Sequence, residues 1–216
     1  MTTTWTKPDI LKPGRFDDAV AHLKNYFHED DYSGSFFERL GGGGDRSEVA
    51  NQIAADDIVA LSMLAVPVKQ GWVARLLLEG PTAGKVNDLL AQIPTSLSIA
   101  ETAGRKALAD NQPAAELWSV VSGLKYFGRV RTSKVLARKR PHLIPIYDSV
   151  VRSQFGAQGV SDQWQGICAL FEQPDFSVHL ELLRDTSGIG EDISLLRVLD
   201  VVVWMEGKRA MKSGKE

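Results

Sequence analysis

The spacing of apolar residues along the chain is that of helices almost throughout. Phe16, Val20, Leu23 and Phe27 recur at helical intervals and predict a helix over 16–27. Ala54 to Val66 predicts a second, with Asp56 and Asp57 in its first turn, where negative charge complements the helix dipole. Pro67, Gly80-Pro81 and Pro94 then punctuate helices over 68–78 and 82–93. A long helix is expected over 96–109, and Pro113 suits the first turn of another over 114–124. The remaining apolar rows predict helices over 129–139, 147–155, 161–172, 176–185 and 192–207. Almost nothing alternates with period two, and short extended pieces are expected at most near 32–37. The reading is a mainly α protein. With no internal repeat, it is expected to be a single compact helical domain over 1–216. Residues 1–13 read as a polar surface arm and 41–46 as a flexible Gly-rich loop. Gly41 to Gly44 do not make a phosphate loop, because no Gly-Lys-Ser/Thr follows them.

The last helix has a different pattern. From Ile193 to Met205 every position is apolar except Ser194, Arg197 and Asp200, and a helix apolar on most sides belongs in a core. Arg197 and Asp200 can pair at i, i+3, either as an internal ion pair or as the polar wall of a pocket. Val198, Leu199, Val202 and Trp204 are expected to be buried.

Composition narrows the function classes. The chain has 216 residues, 44% hydrophobic and 24% charged, as in ordinary globular proteins. Its formal charge is −2, so any affinity for nucleic acid must come from a local patch. The lone Cys168, in the apolar run ICALF, excludes a disulfide within the chain, fits a cytoplasmic setting and reads as a small buried hydrophobe. The start MTTTWTKPD lacks an apolar targeting core, and no apolar run is long enough to span a bilayer, so no membrane partner is expected. The four histidines lie far apart, and His28-Glu29-Asp30-Asp31 reads as an exposed acidic loop rather than a metal site. No metal or cofactor is implied.

The candidate chemistry lies between Gly123 and Arg152. Lys125, Arg129, Arg131, Lys134, Arg138, Lys139 and Arg140 fall in one stretch with no acidic residue. Arg131, Lys134 and Arg138 share a helix face by i, i+3, i+7 spacing. If Gly128 opens that helix, its unpaired N–H groups and positive dipole end favour an anion there, with Arg129 beside it. The run reads either as a polyanion-binding face or as a solvated helix face. Tyr126, Phe127 and Tyr147 flank it and either stack on a base or pack in the core. Asp148 follows Gly128 by 20 residues, where it can cap the next helix, act as a catalytic acid, or do both.

Gly128-Arg129-Val130-Arg131-Thr132-Ser133, followed by Asp148-Ser149-Val150-Val151-Arg152, resembles part of the helix-hairpin-helix DNA glycosylase superfamily. The resemblance implies a helix-hairpin-helix second half, a hairpin whose backbone N–H groups hold a DNA phosphate, and Asp148 as the acid assisting base loss. Residues 68–78 resemble the superfamily's earlier helix with its small and apolar face. Two features depart from the pattern. Tyr126-Phe127-Gly128 keeps only the second of the hairpin's two glycines, and Val130 falls near the slot of the lysine nucleophile, which disfavours a Schiff-base lyase. Over most of its length, notably ADDIVALSML, ARKRPHLIPIYD and ISLLRVLDVVVWM, the chain also resembles an uncharacterised bacterial family of unknown function. The functional expectation is a nucleic-acid-binding helical protein. Its sites are Gly128, Arg129, Arg131, Lys134, Arg138, Lys139 and Arg140 for binding and Asp148 for N-glycosidic hydrolysis. A non-catalytic module whose basic helix meets an acidic partner, and a small-molecule hydrolase using Asp148 or Asp200, are the alternatives.

Overall fold

The computed structural model describes residues 5–29 and 31–213, and those residues form eleven α-helices and no strand. The helices are α1 (Phe16–His28), α2 (Ala55–Met63), α3 (Gly71–Leu78), α4 (Gly80–Ala91), α5 (Thr102–Ala107) and α6 (Pro113–Ser122). They continue with α7 (Gly128–Lys139), α8 (Ser149–Gln154), α9 (Val160–Phe171), α10 (Phe176–Ser187) and α11 (Leu195–Ser213). No helix among the described residues is long and apolar enough to cross a membrane. The chain divides into two units, one of Met1–Tyr32 with Pro145–Glu216 and one of Ser33–Ile144.

The first unit is organised by α11, which packs against α1, α8 and α10. Val198, Leu199, Val201, Val202 and Val203 are all buried, as an all-round apolar helix requires. Arg197 and Asp200 are buried with them. Arg197 Nη1 donates to Asp200 Oδ2 at 2.5 Å and Nη2 to the Tyr26 hydroxyl at 2.9 Å. The ion-pair reading of these two residues therefore holds. Trp204 is half-buried, edge-on to Tyr26 and Tyr32 with ring centroids 6.0 Å away in each case. The expected arm is docked from residue 5 on, while residues 1–4 lie outside the described residues. Ile10 and Leu11 are fully buried, and the Thr6 N–H donates to the Phe155 carbonyl at 2.9 Å. Cys168 is half-buried rather than fully enclosed. Asp30 of the acidic loop is outside the described residues, and the His28 ring pairs with the Ser187 carbonyl at 2.9 Å.

The second unit is built on α3–α4, α4–α6, α6–α7 and α2–α7 packing. Pro113 opens α6, where the lost N–H costs nothing. Two expectations fail locally. The 96–109 helix shrinks to α5, because the backbone before it is held elsewhere. Ile99 N–H donates to the His142 carbonyl at 2.9 Å, and Arg105 Nη1 takes the Ile99 and Ala100 carbonyls at 3.0 and 2.8 Å. The 32–37 segment holds a 3-10 turn, Ser33–Phe36, and no extended strand.

Candidate nucleic-acid interface

Helices α6 and α7 pack together and are joined by a five-residue turn, 123–127. Phe127, its last residue, is buried, and its N–H donates to the Leu124 carbonyl at 3.0 Å. On either side of it, Tyr126 and Gly128 take left-handed backbone conformations, φ 67° and φ 71°. Glycine adopts this freely, whereas for a side-chain-bearing residue such as Tyr126 it costs about 1–2 kcal/mol. Tyr126 is thus held in a backbone conformation that glycine adopts freely. No side chain caps α7, so its first N–H groups and the positive end of its dipole are left to solvent or ligand. Lys125, Gly128 and Arg129 are exposed there, and a Cβ added at Gly128 would meet nothing within 4 Å.

Trp72, near the start of α3, stands beside this turn. Its ring meets Tyr126 edge-to-face at 6.1 Å between centroids, and Lys125 Nζ lies 5.0 Å from the Tyr126 ring centroid. Arg131 ties the two segments together. Its Nε donates to the Val66 and Pro67 carbonyls at 3.2 and 3.1 Å, and its Nη1 to the Tyr126 and Phe127 carbonyls at 3.1 and 3.2 Å.

The other end of the basic run is turned inward. Lys134, Arg138, Lys139 and Arg140 are buried, so the expected exposed face of Arg131, Lys134 and Arg138 does not form. The reason is that each cation donates to carbonyls of helix ends and turns, whose oxygens can accept more than one hydrogen bond; those of Leu40, Val49 and Leu90 also accept the N–H of Gly43, Gln52 and Ile93. Lys134 Nζ donates to the carbonyl of Leu64, the residue that ends α2, at 3.2 Å. Arg138 donates to the carbonyls of Phe37, Glu38 and Leu40. Lys139 takes Val49 at 2.8 Å. Arg140 takes Leu90 and Ile93 at the end of α4, together with Ala50, Lys139 and the Asn51 amide oxygen, at 2.5–2.8 Å. Burial pushes the Arg140 guanidinium down to about 10, with Asp45 opposing, which leaves it charged near neutrality. Burial likewise lowers Lys139, against the pull of Asp57.

Asp57 is the anion of this centre. It is fully buried, accepting from Arg138 Nε at 2.8 Å, Lys139 Nζ at 3.0 Å and the Ala54 N–H at 2.8 Å. It thereby closes the start of α2 as a third-position carboxylate does, while compensating two buried cations. The glycine run lies against it. A Cβ at Gly44 would sit 2.6 Å from Arg138 Cγ, 2.7 Å from Asp57 Oδ1 and 2.8 Å from the Arg138 carbonyl oxygen. Gly41, Gly42 and Gly43 all have positive φ. These glycines serve a close approach and unusual dihedrals, not slack.

Asp148 belongs to the other unit. Its Oδ1 accepts the Val150 N–H at 2.9 Å, so it caps α8, one of the two roles expected of it. The sequence reading missed Trp72 and gave Asp57 only a dipole role. Asp57 had a signal. It precedes the buried Ala60 and Leu61 by three and four residues, which puts it on the core face of α2.

Neither the curated proteins nor the solved structures contain a match to the chain. A family model does match, over residues 19–207, and it spans both units, the α6–α7 turn, the Asp57 centre and α11 up to Gly207. By that match the chain belongs to the Family of unknown function (DUF6308).

Proposed function

We propose that the protein binds nucleic acid through the α6–α7 turn and the first turn of α7. One observation carries the reading. Tyr126 and Gly128 at positive φ around a buried Phe127 present an uncapped, acid-free helix start between the exposed Lys125 and Arg129. Backbone N–H groups at such an end suit a phosphate oxygen, and flanking cations add affinity that is independent of base sequence. The binding set is thereby narrowed to Gly128, Arg129 and Lys125. Arg131, Lys134, Arg138, Lys139 and Arg140 shape the turn and its support from within. The two-sided left-handed turn also favours the helix-hairpin-helix reading of this half. The enzymatic form of the proposal is N-glycosidic hydrolysis assisted by Asp148, without a Schiff-base lyase. The single half-buried cysteine is in keeping with a cytoplasmic setting.

The test is retention of labelled oligonucleotides across a salt series. Binding is expected to weaken by about 0.9 log units per log unit of salt for each duplex phosphate contacted, or about 0.7 for each phosphate of a single strand. Lys125→Glu with Arg129→Glu should abolish it. Salt-insensitive binding, or a double variant that binds as wild type, overturns the reading. Asp148→Asn keeps a capping side chain and removes the charge. It should preserve binding and lose any base release the wild type shows, and unchanged release removes Asp148 from the chemistry.

A further inference from the structure

We infer that the ligand is single-stranded, with an unpaired base held against Trp72 and Tyr126. The inference rests on the nucleic-acid reading above and adds the strand state and the contact that selects it. Both rings are exposed, Trp72 at 49% and Tyr126 at 57%, though large aromatics ordinarily bury most of their surface. They meet edge-to-face at 6.1 Å and 79°, and Lys125 Nζ lies 5.0 Å from the Tyr126 ring centroid, so two half-exposed rings stand together beside a cation. Tyr126 is also held at φ 67°, a conformation with a cost that the exposed ring does not recover by burial. An exposed aromatic on a strained backbone is the kind of outlier that points to a ligand.

The pair is also held in place. Arg131 joins the segment before α3, through Val66 and Pro67, to the turn that carries Tyr126. One guanidinium therefore fixes the two aromatic segments relative to each other. Phe127, buried immediately beside Tyr126, anchors the turn from below. The surroundings choose the occupant. Lys69, Lys125 and Arg129 are exposed on these two segments, and no acidic residue occurs in 64–74 or in 123–131. Aromatic faces among cations fit a chain of bases and phosphates. In a duplex the base faces are covered by their neighbours and only edges are offered in the grooves. A single strand offers the faces, and an aromatic side chain takes any base because every base has a π-face.

The experiment uses the full chain and four fluorescent probes: a short DNA strand, its duplex, an RNA strand of the same sequence, and an abasic DNA strand of the same length. Each is titrated against wild type, Trp72→Ala and Tyr126→Gly. Glycine at 126 keeps the left-handed turn, so that variant should melt no lower than wild type while lacking the ring. The single strand is expected to bind on the order of tenfold or more tightly than the duplex or the abasic strand. Both variants should lose that advantage, with the Lys125 and Arg129 salt response retained. The DNA and RNA arms identify which strand is preferred, and preference for either over the duplex supports the inference. Equal binding of strand, duplex and abasic probe overturns it while leaving the phosphate-binding reading in place. So does wild-type affinity in both variants. Failure of every probe to bind overturns both, and an acidic polypeptide that displaces the strand at equal charge concentration reassigns the surface to a protein partner.

Discussion

The two ends of α7 carry the same kind of residue and do opposite things. At its start Arg129 faces solvent beside an uncapped helix end. At its close Arg138, Lys139 and Arg140 are buried, and their donors are taken by carbonyls and one carboxylate. Sequence alone shows one basic run, whereas the fold divides it into a solvent-facing end and an inward end whose donors go to carbonyls of helix ends and turns. Cations are common partners for the last carbonyls of a helix, because they complement the negative dipole end. Here one helix supplies them to α2, α4 and the 37–50 loop together. The lesson is that a charge run becomes a surface only where no packed carbonyls or carboxylate compete for its donors.

The comparison breaks most severely at its anion. Asp57→Ala leaves Arg138 and Lys139 without the buried carboxylate that both hydrogen-bond, with only the Asp56 carboxylate still near Arg138, at 3.7 Å. Removing one partner of a buried pair typically costs about 3–5 kcal/mol, and the loss should appear in chemical denaturation. A variant as stable as wild type would mean that the carbonyls alone hold the inward end.

Two glycines sharpen the contrast at smaller cost. Gly44→Ala drives a methyl into Arg138 and Asp57, one contact being with unyielding backbone, so about 3 kcal/mol is expected, the upper range for overpacking. Gly128→Ala meets open space and bears only its positive φ, about 1 kcal/mol. Equal losses in a side-by-side denaturant series would erase the distinction between a packed end and an open one.

Much of the fold was legible because apolar periodicity is a local signal. All eleven helices fall on stretches whose spacing predicts them. The largest difference in length is instructive, since α5 is short for a nonlocal reason, the hydrogen bonds of Ile99 and Ala100 to His142 and Arg105. The candidate site was legible only in outline. Gly128 and Arg129 stand where the pattern puts them, at the start of α7. The burial of Lys134 to Arg140 was hidden because its partners are mostly backbone carbonyls, which leave no mark in a sequence. Asp57 lay 81 residues from Arg138, so their pairing had no local trace either. Trp72 was readable in hindsight: the buried Val73 and Leu77 define the core face of α3 and leave Trp72 off it.

The division of α7 is tested most directly by making one substitution at each end. Arg129→Glu and Arg138→Glu differ by nine positions and not at all in chemistry. Melting temperatures of the two, measured together, should diverge. Arg129→Glu should melt within a degree or so of wild type, because exposed charges contribute little. Arg138→Glu sets a second carboxylate against Asp57 and abandons three carbonyls, and it should lose on the order of 10 °C or fail to fold. Matching melts for the two variants, at either extreme, would contradict the account.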